Sequence, residues 1–127
     1  MSVHSDRSVL LIDDQTLTYF LLEPLLTRDV DRLLLATTET DAIQLVFREK
    51  PTVVIVNLTA PTMQVVELSR TLRERHENDF KAMVGLGYTS SANATDGQAV
   101  GVFDQIYRRP IDYSSFRDYV SSTLRSG

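Results

Sequence analysis

Hydrophobic and polar residues alternate in blocks along this chain, and the short apolar blocks predict five strands. The predicted strands lie at residues 8–12, 32–36, 52–58, 81–86 and 102–107. The segments 9–12, 53–56 and 83–86 are continuously apolar. Such runs are typical of strands that are covered on both faces of a parallel sheet.

The segments between these runs place apolar residues at helical spacing. The predicted helices lie at 16–28, 38–50, 64–76, 90–98 and from 112 onward. Pro24 removes a backbone hydrogen bond and clashes with the preceding turn, so we expect a kink or an early end near Glu23. Thr38 and Asp41 resemble a capping box, and Asp112 should cap the last helix. The fourth helix is poor in apolar residues.

The strict alternation of strand and helix predicts the α/β class. Strands that alternate with helices of about 10–15 residues form βαβ units and a doubly wound parallel sheet. A chain of 127 residues is long enough for one ordinary domain and too short for two. No linker, repeat or low-complexity tract interrupts the order, so we expect a single domain over residues 1–127.

Composition narrows the classes of function. The net charge is −4, whereas direct binding of nucleic acid needs a basic face, so we expect none. The chain contains no cysteine, which excludes disulfides and thiolate metal sites. It has no apolar stretch of the ~20 residues that a membrane span needs and no secretory signal, so we expect a cytoplasmic domain without membrane contact.

Candidate chemistry gathers where the predicted strands end. Asp13 and Asp14 follow the first strand, Asn57 ends the third, Gly87 follows the fourth and Arg109 follows the fifth. The carboxyl ends of parallel strands meet at one edge of an open α/β sheet, which is where ligands bind. Two alternatives remain: the acid pair can cap the following helix, and an isolated Asn is most often a loop residue.

Three motifs in this order resemble the receiver domain of two-component response regulators. They are VLLIDDQ (9–15), VVIVNLTAP (53–61) and YRRPID (107–112). The resemblance covers nearly the whole chain. It implies a five-stranded parallel sheet of order 2-1-3-4-5 in a flavodoxin-like (CheY-like) three-layer sandwich.

The resemblance also implies roles for individual residues. Asp13 and Asp14 match the acid pair that binds Mg²⁺ in this family, and a backbone carbonyl near Thr59 would complete the metal site. Asn57 matches the aspartate that accepts phosphate, and Pro61 matches a proline common four residues later. The acid pair is therefore kept, and the phosphoacceptor is replaced.

Three further functional positions depart from the family pattern. Gly87 stands where a Thr or Ser contacts the phosphate, and it offers a backbone N–H without a hydroxyl. Arg109 stands in place of a lysine, and Ile106 in place of an aromatic switch residue. The resemblance therefore implies that positions which would bind the phosphoryl group and the position which would respond to phosphorylation are both changed.

These departures predict weak metal binding and no phosphorylation. The carboxamide of Asn57 is neutral and would form no stable acyl phosphate. Loss of one carboxylate removes an attraction of about 4 kcal/mol per charge pair at ~4 Å and an effective dielectric near 20. We therefore expect no required cofactor and at most weak Mg²⁺ binding by Asp13, Asp14 and Thr59. We hypothesise that Arg109 bridges bidentately to the acid pair and substitutes for the metal.

The resulting interpretation is a degenerate receiver, or pseudo-receiver, that has no catalytic residue and signals without phosphorylation. It would contact protein partners through the face of the fourth helix, fifth strand and fifth helix, roughly residues 88–125, or form a homodimer. It can also be one domain of a longer regulator. One alternative is a conventional receiver that takes phosphate from a histidine kinase on another carboxylate, with Asp14 as candidate. A second alternative is a sensor of a small anion beside Arg109.

Overall fold

Strands and helices alternate as predicted over residues 8–86 of the computed structural model. The structure describes residues 7–59, 64–76, 80–87, 101–108 and 110–125. Its elements are β1 (Ser8–Ile12), α1 (Leu17–Leu26), β2 (Arg32–Ala36), α2 (Glu39–Glu49), β3 (Val53–Asn57), α3 (Val65–His76), β4 (Ala82–Leu86), β5 (Gln105–Tyr107) and α4 (Tyr113–Arg125). The predicted fourth helix at 90–98, Pro61 and Arg109 lie outside the described residues. The helix predicted as the fifth is therefore α4 here.

The five strands form one parallel sheet in the order β2-β1-β3-β4-β5. This confirms the predicted topology. Ile12, the last residue of β1, pairs with both Ala36 of β2 and Val56 of β3. This register brings the residues that follow β1 beside the end of β3.

Alternation along the strands divides the core into two apolar layers. Leu10 and Ile12 point into the layer that contains residues of α2 and α3. Val9 and Leu11 point into the opposite layer, which contains residues of α1 and α4. Successive side chains of a strand face opposite sides of the sheet. The predicted three-layer sandwich is thus confirmed.

The fifth strand, Gln105–Tyr107, is shorter than the predicted 102–107. The first apolar residues of that segment are buried without pairing in the sheet. Val102 and Phe103 are buried but lie before β5. Asp104 bonds both backbone groups of Met83: its N–H donates to the Met83 carbonyl (2.9 Å), and its Oδ2 accepts from the Met83 N–H (2.8 Å). Arg73 holds the same carboxylate with two bonds of 2.9 and 3.1 Å.

The early end expected for α1 at Glu23 is wrong, since the helix continues through Pro24 to Leu26. Pro24 and Phe20 are both exposed. The Phe20 carbonyl would normally accept the N–H of residue 24, but a proline has no N–H to donate. Water can bond this carbonyl on the solvent side. The proline therefore weakens the helix without ending it.

Both predicted helix caps are confirmed. The Thr38 hydroxyl accepts the Asp41 N–H at 3.1 Å. The Asp112 carboxylate accepts the Ser115 N–H at 3.1 Å and the Ser115 hydroxyl at 2.9 Å. The backbone bond from Ser115 is the largest of the effects that lower the pKa of Asp112. No helix in the described part of the chain is both long and apolar enough to cross a membrane.

We expect a side chain at Gly85 to destabilise the fold, because β4 passes close to Leu58 at this residue. A Cβ atom on Gly85 would lie 2.6 Å from Leu58 Cδ1 and 3.2 Å from Leu58 Cγ. Leu58 is buried and has little room to move. We expect Gly85→Ala to lower the free energy of unfolding by about 1–3 kcal/mol, measured by urea denaturation.

Gly101→Ala is the matched control, since a Cβ atom there would meet nothing within 4 Å. Its effect should stay within about 0.5 kcal/mol. Equal losses in the two variants would show that the contact with Leu58 does not constrain this position.

Candidate functional site

The described carboxyl ends of the strands meet beside a cavity of about 220 Å³. Asp13 follows β1, and Asn57 is the last residue of β3, so the register of the two strands makes them neighbours. Asn57, Asp14 and Thr59 line the polar side of the cavity. Its apolar side includes Leu17, Leu21, Leu86, Ile111 and Tyr113. Four residues singled out from sequence are thereby brought together.

Asn57 is hydrogen-bonded at both ends of its carboxamide. Its Nδ2 donates to Asp13 Oδ2 at 2.9 Å. Its Oδ1 accepts the Thr59 N–H at 3.0 Å and the Thr59 hydroxyl at 2.7 Å. The side chain therefore ties the end of β1 to the loop that follows β3.

The chemistry of the partners fixes the orientation of this amide. An ionised Asp13 carboxylate only accepts hydrogen bonds, and the Thr59 backbone N–H only donates them. A flipped amide would place oxygen against oxygen at one end and N–H against N–H at the other. The observed arrangement is the one in which Asn57 satisfies both neighbours.

Asp13 needs these bonds because it is 1% exposed. A buried carboxylate is costly unless hydrogen bonds replace its water. Its Oδ2 accepts from Asn57, and its Oδ1 accepts the Gln15 N–H at 3.1 Å. Asp13 does not cap α1, whose N-cap is Thr16 without a side-chain cap bond. The helix-capping alternative is therefore wrong for Asp13.

Among the described residues, the donor set offers Mg²⁺ only two carboxylates, those of Asp13 and Asp14, and one of them is already bonded to Asn57. Mg²⁺ prefers an octahedral shell of oxygen ligands, whereas Asn57 turns its N–H toward Asp13 and its oxygen toward Thr59. No group of three His, Cys, Asp or Glu side chains in the described ranges could hold a metal ion. A carboxylate at position 57 would face Asp13 across the same gap and would need a proton or a cation between them. The amide instead donates a hydrogen bond to Asp13.

Gly87 has a backbone conformation that disfavours any residue with a side chain. Its φ angle is 105°, which L-residues with a side chain rarely adopt. Its N–H donates to the Tyr107 carbonyl at 3.0 Å, next to the pairing of β4 with β5. The expectation that Gly87 offers this N–H at the site is therefore wrong, because β5 uses it.

The aromatic ring of β5 belongs to Tyr107, one residue beyond Ile106. Ile106 packs against the layer of α2 and α3. Tyr107 faces the opposite layer, where its ring meets Phe116 edge-on at 5.6 Å. Burial is the main cause that raises the pKa of Tyr107. Because neighbouring residues of a strand face opposite sides, Tyr107 cannot take the place of the missing ring at 106.

The sequence did not predict the apolar wall of the cavity or the bonds between Thr59 and Asn57. The Thr59 N–H and hydroxyl both bind Asn57, whereas the role expected for its carbonyl at a metal stays a prediction. The signal was present, since an Asn side chain often bonds the backbone two residues on. The contact predicted for Arg109 falls outside the described residues and stays a prediction.

Searches against protein-family models and against curated proteins found no match. Solved structures of receiver domains do match the fold. The signal receiver domain of a DNA-binding response regulator from Colwellia psychrerythraea 34H has a TM-score of 0.81 at 15% identity, with 95% of this chain and 100% of that chain covered. The signal receiver domain of an HD domain-containing protein from Pseudomonas fluorescens Pf-5 gives 0.79 at 20%, covering 98% and 91%. The chain therefore has the receiver-domain fold.

The bond between Asn57 and Asp13 predicts a stronger pH response for Asn57→Asp than for Asn57→Ala. Asn57→Ala leaves a buried carboxylate oxygen without its donor, so it should lose about 1–3 kcal/mol of stability. Asn57→Asp places two carboxylates side by side. The folded state then binds a proton more readily than the unfolded state, so stability falls as the pH rises through the titration of the pair.

Urea denaturation between acidic and neutral pH compares the two variants with the wild type. Asn57→Asp should recover relative to Asn57→Ala as the pH is lowered. If the two variants have parallel pH profiles, the side chains at positions 13 and 57 are not coupled.

Proposed function

We propose that this chain is a degenerate receiver domain that signals by protein contact and without phosphorylation. The observation that carries the proposal is the amide of Asn57, held between Asp13 and Thr59. It occupies the place of the phosphate-accepting carboxylate with a group that has no charge and no available nucleophilic oxygen. The domain keeps one arrangement of this edge and needs no phosphoryl group to stabilise it.

Other residues besides Asn57 support our proposal that several parts of the phosphorylation switch are lost and not the phosphate-accepting residue alone. Gly87 lacks the hydroxyl that would contact a phosphate, and its positive φ opposes restoring one. Ile106 lacks a ring, and Tyr107 packs on the other side of the sheet. Such a domain is not an enzyme in our proposal, since no residue is left to carry the transfer.

The proposed domain works without a resident metal. Asp13, Asp14 and the Thr59 carbonyl are the groups that would hold Mg²⁺ weakly, and the Asn57 N–H competes with the ion for Asp13. Arg109 remains our candidate for the charge that replaces the metal, because its planar fork of donors suits a carboxylate. A small-anion sensor beside Arg109 has no further observation in its favour.

The partners we propose are proteins, in the cytoplasm, with no direct contact to nucleic acid or membrane. The face predicted for them spans residues 88–125. Its described part, β5 and α4, carries exposed polar side chains such as Gln105, Arg108 and Asp118. A polar surface suits a reversible contact between folded domains. An output domain outside these 127 residues remains part of the proposal.

The alternative is phosphorylation of another carboxylate, and the position of Asp14 is the observation that favours it. Asp14 is half-buried and lines the cavity beside Asn57. A phosphodonor that enters the cavity would therefore meet this carboxylate.

Intact-mass measurement after incubation with a small phosphodonor and Mg²⁺ tests the proposal. We expect the wild-type mass to stay unchanged, with a receiver that retains its aspartate as the positive control. Asn57→Asp should not regain both phosphorylation and a change of shape, because Gly87 and Ile106 remain. A stable phosphoryl adduct on the wild type that Asp14→Asn removes would establish the alternative. Full recovery in Asn57→Asp would show that the site is blocked at a single residue.

A further inference from the structure

Helix α1 is apolar on two sides, although only one of them faces the core. Its sequence, LTYFLLEPLL, contains one charged residue, Glu23. Leu22 and Leu26 are buried on the inner side. On the outer side Leu17, Phe20 and Leu21 are 74%, 63% and 50% exposed. A helix that is apolar all round is normally covered all round.

These outer residues form one continuous stripe. Leu17, Phe20, Leu21 and Pro24 follow the spacing i, i+3, i+4, i+7, which places them on the same face of a helix; we call them the outer stripe. Three of the four large apolar side chains that are exposed in the described residues belong to it. Contiguous exposed apolar surface marks a site of interaction, whereas scattered single residues do not.

We infer that the outer stripe binds a second copy of this chain, with the two α1 helices antiparallel. The first argument is the symmetry of the stripe. Reversing the helix exchanges Leu17 with Pro24 and Phe20 with Leu21, so every apolar residue meets an apolar residue. A two-fold interface requires this kind of self-complementary surface.

Charge at the two ends of the helix gives the second argument. Asp14 precedes α1, and the exposed Arg28 follows it. Antiparallel pairing brings Arg28 of each copy close to Asp14 of the other, whereas parallel pairing would bring like charges together. Antiparallel helix dipoles also attract each other.

The size of the surface sets the expected strength. Specific interfaces bury about 800 Å² per partner, more than four side chains provide. Leu17 and Leu21 also line the cavity together with Ile111 and Tyr113, so the rim of the cavity can extend the contact. We therefore expect a weak, concentration-dependent dimer that covers the mouth of the cavity. This inference does not depend on the proposed loss of phosphorylation.

Sedimentation equilibrium over a range of protein concentrations tests whether this dimer forms. The wild type should self-associate, and Phe20→Asp should weaken the association about tenfold or more, as loss of a central aromatic contact does. Phe47→Asp is the matched control: Phe47 is 66% exposed, but it lies on α2. A wild type that stays monomeric at every concentration, or an association that survives Phe20→Asp, would overturn the inference.

Cysteine cross-linking tests the antiparallel register, and it is clean because the chain has no cysteine of its own. In the proposed dimer each residue 17 lies near residue 24 of the second copy. The two residues 17 are then about 10 Å apart along the helix axis, beyond the ~7 Å that a disulfide spans between Cα atoms. Mixed Leu17→Cys and Pro24→Cys chains should cross-link much faster than either variant alone.

Phe47→Cys gives the background rate of random collision. Rapid cross-linking of Leu17→Cys to itself would indicate parallel helices and overturn the proposed arrangement. Cross-linking at the Phe47→Cys rate in every sample would overturn the inference that the stripe contacts a second copy.

Discussion

The hydrogen bond between the Asn57 side-chain amide and the buried Asp13 carboxylate holds together the edge of the sheet at which β1 and β3 end. The bond joins Asn57 Nδ2 to Asp13 Oδ2 at 2.9 Å, where β1 and β3 end side by side. Without this bond, one oxygen of the almost fully buried Asp13 carboxylate would lose the donor that replaces water. With a carboxylate as its neighbour, it would need a proton or a cation. The amide instead donates a hydrogen bond to it, and on this bond we base the proposal that the domain works without a resident metal.

The rest of the site is consistent with an edge that has one stable arrangement. Thr59 holds the far end of the amide, and Gly87 bends the chain with its N–H committed to β5. Tyr107 packs edge-on against Phe116, on the opposite side of the sheet from Ile106. A switch needs two arrangements whose populations a ligand can shift. In our proposal these contacts all favour the same arrangement, and the outer stripe of α1 is the surface that we infer to bind a second copy.

The sequence predicted those features of the fold that follow from local chemistry and burial. Strands such as 53–56 are apolar throughout because both faces of the sheet are covered, and Thr38 and Asp112 cap helices through bonds to residues three positions on. Features that depend on distant partners were harder to predict. The start of β5 depends on Asp104 meeting Met83, and α1 continues because Pro24 faces solvent.

The role of Asn57 also depends on a distant partner, since Asp13 is 44 residues away in the sequence. The most direct test is the pair of NMR signals from the Asn57 side-chain amide, recorded before and after addition of Mg²⁺ and a small phosphodonor. We expect two resolved signals whose protons exchange slowly with water and whose chemical shifts stay unchanged after both additions. Signals that shift saturably on addition of Mg²⁺, or that already exchange freely, would show that the amide does not close the site.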